Sequence, residues 1–172
     1  MHQHFRDEIA LIVSAQRTSS PTLDPKSPWF GLPHSDFVVV LSSLRDEVEQ
    51  RAYLALVAAT EAVLQVDFRS RAHAKRKTLL AGRARHSVWE EKKYAARVVV
   101  EDVLDAWKNV PGARKAPIAE FRQLLTHRHW LAHGRYFENK AGVTTDDPEF
   151  VFHRVRACLD ELKRLDPAFP RG

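Results

Sequence analysis

Arg128 and His133 stand with four residues between them in "RHWLAHG", and together they could act on a phosphodiester. A guanidinium offers a planar fork of donors that matches a phosphate. An imidazole is the side chain whose ordinary pKa lets it carry a proton near neutral pH. Spacing alone does not single the pair out. In a chain this rich in arginine, with nine histidines, about one Arg-x4-His pair arises by chance. A second pair, Arg122 and His127, is present too, so context has to choose between them. The same stretch raises metal chemistry, since His129 and His133 have the i, i+4 spacing that chelates on one helix face. No HExxH occurs and there is a single cysteine, Cys158, so no metal site and no cofactor is expected. Nucleophile elbows and glycine-rich phosphate loops are also missing from the sequence.

The elements that must position these residues read as helices almost throughout. A first helix is expected over about 3–16, with Phe5, Ile9 and Ile12 as its stripe. The proline-rich "TSSPTLDPKSPWFGLPHS" (18–35) then makes a non-helical crossing. Ser35 or Asp36 can cap a long second helix to about 73. Phe37, Leu41, Leu44 and Val48 lie on one of its faces, and Leu54, Val57, Leu64 and Phe68 on another, as for a helix packed by several neighbours. The capping box "SVWE" (87–90) opens a third helix to about Val110, where Pro111-Gly112 stops it. Pro117 suits the first turn of a fourth, which Gly134 can close. Asp147-Pro148 starts the last, with Val151, Val155, Leu159 and Leu162 apolar. The expectation is an all-α, single-domain bundle of four to five helices spanning 1–172.

On the fourth helix Ile118, Phe121, Leu125 and Ala132 share a face, and Arg128 falls among them. An arginine there needs a carboxylate, a phosphate or a subunit interface, because an unpaired buried charge is costly. A snorkelling side chain or a structural ion pair would satisfy it equally.

Composition bounds the partners. The chain is 44% hydrophobic and 28% charged, as expected for a globular protein. Its single cysteine fits a reducing compartment. The start has acids among its apolar residues and does not read as a signal peptide. No stretch approaches a membrane span. A cytoplasmic protein is expected. With 27 Lys+Arg against 22 Asp+Glu, the balance tilts toward polyanions. Between Phe68 and Trp89 no acid occurs, while Arg69, Arg71, Lys75, Arg76, Lys77, Arg83 and Arg85 are basic. That run is either a solvated linker or a surface for an RNA backbone.

"RHWLAHGRYF" (128–137) resembles the signature of the HEPN superfamily (higher eukaryote and prokaryote nucleotide-binding): R-x4-H, a polar residue after the arginine, here His129, and an "AHG" ending. The resemblance extends over most of the chain in helix order and over about ten residues in sequence. It implies a small helical bundle and a metal-independent endoribonuclease, often a toxin or other defence effector, controlled by an antitoxin protein. It also implies a homodimer in which two motifs face each other across a basic cleft. Arg128 would then contact the scissile phosphate and His133 would transfer protons, leaving a 2′,3′-cyclic phosphate or related end. His129 would contact RNA or orient its neighbours, Arg135 would contact phosphate or satisfy the carbonyls at the helix end, and Arg76 and Lys77 of the basic run would contact RNA. Toxins of this family paired with a nucleotidyltransferase antitoxin usually carry a tyrosine two places after the histidine. Arg135 takes that place here and Tyr136 comes third, a departure from control by tyrosine modification.

The family commonly adds a polar or acidic residue on an earlier helix, and Glu61 is the candidate. It occupies a 3–4-spaced position among Leu54, Val57, Leu64 and Phe68 where an apolar residue is expected. Glu47 and Gln50 continue that line more weakly. A Glu61–Arg128 contact would serve catalysis or a structural pair alike. The alternative function is a non-catalytic HEPN-like module that binds RNA, nucleotide or protein.

Overall fold

The computed structural model describes residues 33–73, 79–85, 98–132 and 147–170. Its helices are α1 (His34–His73), α2 (Ala81–Arg85), α3 (Val100–Lys108), α4 (Lys115–Ala132) and α5 (Pro148–Leu165). The fold is an all-α helical bundle, and no strand occurs among the described residues. None of the described helices is long and apolar enough to cross a membrane. The expected helix at 3–16, the SVWE box and Gly134 lie outside the described residues.

The chain divides into two compact units, residues 1–51 and 52–172, with the boundary inside α1. In the first unit α1 starts two residues before Asp36 because the Pro33 carbonyl accepts the backbone N–H groups of Asp36 and Phe37, both at 3.0 Å. Ser35 and Asp36 are therefore first-turn residues and not caps, and the Asp36 charge meets the positive end of the helix dipole there. Phe37, Leu41 and Val48 are buried and Leu44 is half-buried. The Arg45–Glu49 and Arg51–Glu47 pairs flank that face on either side.

In the second unit one apolar core gathers Tyr53, Val57, Leu64 and Phe68 of α1, Trp107 of α3, Phe121 and Leu124 of α4, and Cys158 and Leu162 of α5. α4 packs on both α3 and α5. α3 begins only after Val99, which is extended at φ −90°, ψ 160°. The expected helix running unbroken from 87 is thus corrected at its described end: Val98 and Val99 are not helical. Three consecutive β-branched valines favour extended backbone, and Asp102 accepts the Val99 N–H at 3.2 Å to start the helix afresh. α5 opens as anticipated, with the Asp147 carboxylate accepting the Glu149 N–H at 3.1 Å.

The α3–α4 turn shows how the bundle is closed. Gly112 sits at φ 82°, a conformation that side chains with a Cβ rarely adopt. Glu161 of α5, 1% exposed, accepts the Arg114 backbone N–H and its Nε, both at 2.7 Å. Arg164 donates to the same carboxylate at 2.6 and 2.9 Å and reaches the Gly112 carbonyl at 2.7 Å. Arg164 foremost holds the Glu161 pKa down, burial opposes it, and Arg114 completes the shift from 4.5 to about 2. A lowered carboxylate contributes stability that is full above its unfolded pKa and lost as pH falls toward its folded one. Acid titration should therefore cost the wild type stability between about pH 4.5 and 2, and Glu161→Gln should flatten that part of the curve in chemical denaturation. Nearby Cys158 is buried, and burial, followed by the Glu161 charge, pushes its thiol up to about 12. A neutral, enclosed thiol is a poor nucleophile. Native protein should resist a thiol-reactive dye at pH 7.5 and react fully only in denaturant.

Candidate functional site

The site lies where α1 and α4 meet within the second unit. Tyr53, fully buried, donates its hydroxyl to the Leu124 carbonyl at 2.8 Å. It also meets the His127 ring edge-on, with centroids 5.0 Å apart. This junction fixes the two helices against each other and brings Glu61 to Arg128. Arg128 Nη1 lies 3.0 Å from Glu61 Oε2. The side chains are 33% and 24% exposed, respectively, so an external anion can reach the guanidinium.

Glu61 sits at the rim of its apolar face, whereas Arg128 follows Leu124 and Leu125 on the buried face of α4, near the end of the helix. The buried line of α1 runs through Tyr53, Val57, Thr60, Leu64, Phe68 and Arg71, with Glu61 on its flank. On α4, Ile118, Phe121, Leu124, Leu125 and His127 are buried, Arg128 is half-buried and Ala132 is exposed. Arg128 is partly exposed because it lies in the last turns of α4, where Leu131 is half-buried and Ala132 exposed. Partial exposure is what separates this pair from a sealed structural one.

His127 belongs to the packing of the α1–α4 junction. It is 4% exposed and stacks on Trp130 at 5.4 Å as well as meeting Tyr53. Its spacing of three from Leu124 was the available signal. Arg122, the other half of the alternative Arg-x4-His pair, reaches to α3, where it pairs with Asp105 at 2.7 Å and donates to the Glu101 carbonyl at 3.1 Å. That pair is therefore split between a helix–helix contact and the core, as five residues of rotation require.

The basic run is also divided. Arg71 is buried and belongs to no surface. It donates to Asp67 at 2.7 Å, to Asp166 after α5, and to the Leu79 carbonyl at 2.9 Å. Its guanidinium lies 5.1 Å over the Trp107 ring. Burial would lower the Arg71 pKa, but the two carboxylates raise it. Burial raises Asp67 despite its partner. Leu80, next to the carbonyl that Arg71 holds, has φ 65°, a conformation costly for leucine. Arg69 is half-buried and Arg83 is exposed, the latter donating to the Ala106 carbonyl at 3.2 Å.

Of the residues expected to act, the structure brings Glu61 and Arg128 together and places His129 exposed on α4. His133, Arg135, Arg76 and Lys77 lie outside the described residues. Glu47 pairs with Arg51. No group of three or more His, Cys, Asp or Glu placed to hold a metal occurs among the described residues. The chain matches no family model, no curated protein and no solved structure.

Proposed function

We propose that the protein is a metal-independent endoribonuclease of the HEPN type, acting in the cytoplasm as a homodimer, as a toxin or defence effector under the control of an antitoxin protein. The observation that carries this reading is the half-exposed Glu61–Arg128 pair at 3.0 Å, formed by the arginine of the R-x4-H motif and a carboxylate from an earlier helix. Glu61 holds the guanidinium by one edge. Among the described residues no other group engages it, so its remaining N–H donors can take phosphate oxygens. In cleavage the 2′-hydroxyl oxygen attacks the adjacent phosphorus, the bond to the 5′-oxygen breaks, and a 2′,3′-cyclic phosphate results. One proton leaves the nucleophile and one reaches the 5′-oxygen. His133 serves that transfer and Arg128 stabilises the charge that builds on the phosphoryl oxygens. His129, Arg135, Arg76 and Lys77 contribute to binding the strand.

The test is RNA cleavage by purified protein in EDTA. Wild type should cleave, His133→Ala should not, and Arg122→Ala should retain activity because Arg122 is committed to Asp105. Wild-type protein that binds RNA and leaves it whole would make the protein a non-catalytic binding module instead. Loss of activity in EDTA would point to metal chemistry.

A further inference from the structure

The Glu61–Arg128 pair is one end of a longer polar string. Gln65 Nε2 donates to Glu61 Oε1 at 3.5 Å, and Arg69 Nη2 donates to Gln65 Oε1 at 3.2 Å. Residues 61, 65 and 69 repeat every four positions and so follow one edge of α1, each a turn beyond the last. Two guanidiniums, Arg128 and Arg69, are thereby linked through one carboxylate and one neutral amide.

The amide in the middle is the informative group. Among the described residues of the second unit several organised arginines are neutralised, Arg71 by Asp67 and Asp166, Arg114 by Glu161, Arg122 by Asp105, while Arg83, held by the Ala106 carbonyl, is exposed. Arg69 is half-buried and held in place, yet it meets no carboxylate among the described residues. Gln65 orients the guanidinium without cancelling its charge. A cation that is positioned, partly desolvated and not neutralised within its own fold is prepared for an anion from outside. Glu61 and Gln65 stand between the two guanidiniums in the string. Separate phosphates of one strand would satisfy both.

We propose that Arg69 is a second phosphate-binding residue, so that the site takes an RNA strand laid along α1 and not a mononucleotide. This rests on the reading of Arg128 as a phosphate contact of an RNA-binding site. Gln65 is then a positioning residue. Gln65→Glu keeps the reach to Arg69 but supplies the missing carboxylate, so it should mask the second contact without removing the arginine.

The probe is an uncleavable 2′-O-methyl hexanucleotide, titrated by fluorescence anisotropy across a salt series, with a nucleoside 3′-monophosphate as the short competitor. Arg69→Gln should weaken hexanucleotide binding about five- to tenfold at 0.1 M salt and lower the slope of log K against log salt by about 0.7, the loss of one phosphate contact on a single strand. Gln65→Glu should behave alike. Affinity for the monophosphate and the thermal midpoint should hold in Arg69→Gln, and Arg83→Gln should change neither binding nor slope. Wild-type affinity and slope in Arg69→Gln would overturn the proposal, as would wild type that fails to bind the hexanucleotide or binds it no better than the monophosphate. The two readings fail separately. An Arg69-dependent slope in a protein that cleaves nothing upholds the strand site and removes the nuclease. Arg128-dependent cleavage with an unchanged Arg69→Gln slope does the reverse.

Discussion

Arg128→Ala should reduce RNA cleavage by about 10²–10³-fold while leaving the protein folded. Removing one group that stabilises transition-state charge typically costs this much. The stability cost is small because the Glu61–Arg128 pair is partly exposed, 24% and 33%, and pairs of that kind contribute about 0–1 kcal/mol. Glu61 also keeps its contact with Gln65 and remains hydrated once the arginine is gone. A loss near 1 kcal/mol would lower the melting temperature by about 2–4 °C in a chain of this length. Arg128→Lys should recover little activity, since an ammonium keeps the charge but not the two-pronged grip on a phosphate. Glu61→Gln should be milder than Arg128→Ala, because an amide can still steer the guanidinium. Single-turnover cleavage and a thermal melt on the same samples check both halves. A variant that has lost activity and more than about 10 °C of melting temperature would mark the pair as structural.

The reverse pattern is expected of Arg71→Met. Arg71 and Asp67 are 5% and 7% exposed at their side chains, and Asp166 is 11% exposed. Removing the cation leaves two enclosed carboxylates facing each other, and breaking a buried pair in this way costs about 3–5 kcal/mol. The melting temperature should fall by on the order of 10 °C. Burial already raises the Asp67 pKa, and the Asp166 charge adds to it, with only Arg71 opposing. Without Arg71 the shift grows. A carboxyl with a raised folded pKa favours the folded state below that pKa and loses the gain as pH rises through it. The gap between variant and wild type should therefore narrow as pH falls. Asp166→Asn in the Arg71→Met background should restore part of the loss at pH 7. Urea denaturation at several pH values gives all three quantities. An Arg71→Met protein as stable as wild type would show that the contact contributes nothing.

Much of this arrangement was legible in the residues. The span of α1 followed from apolar periodicity, the stop after α3 from Pro111-Gly112, and the start of α5 from Asp147-Pro148, each a local preference of backbone or cap. The Glu61–Arg128 contact was legible for a different reason: each charge stood among apolar residues and needed the other. The run of bases was not legible as to which members were free. Arg69 and Arg71 are two residues apart and read alike, yet two positions turn the helix by more than a right angle. Among the described residues one consequently meets Gln65, while the other is enclosed by Asp67, Asp166 and Trp107.

What the sequence by itself determined is what depends on neighbours within a few turns: helix spans, caps, stops, and which charges were out of place on their own helix. Only the tertiary structure decided the fate of residues whose environment comes from a distant part of the chain. Asp166 is 95 positions from Arg71, Glu161 is 47 from Arg114, and Tyr53 is 71 from Leu124. No periodicity encodes such separations. They arise when packing the apolar faces brings those helices together, and that packing is what encloses His127 and Arg71 while leaving Arg128 within reach of an anion.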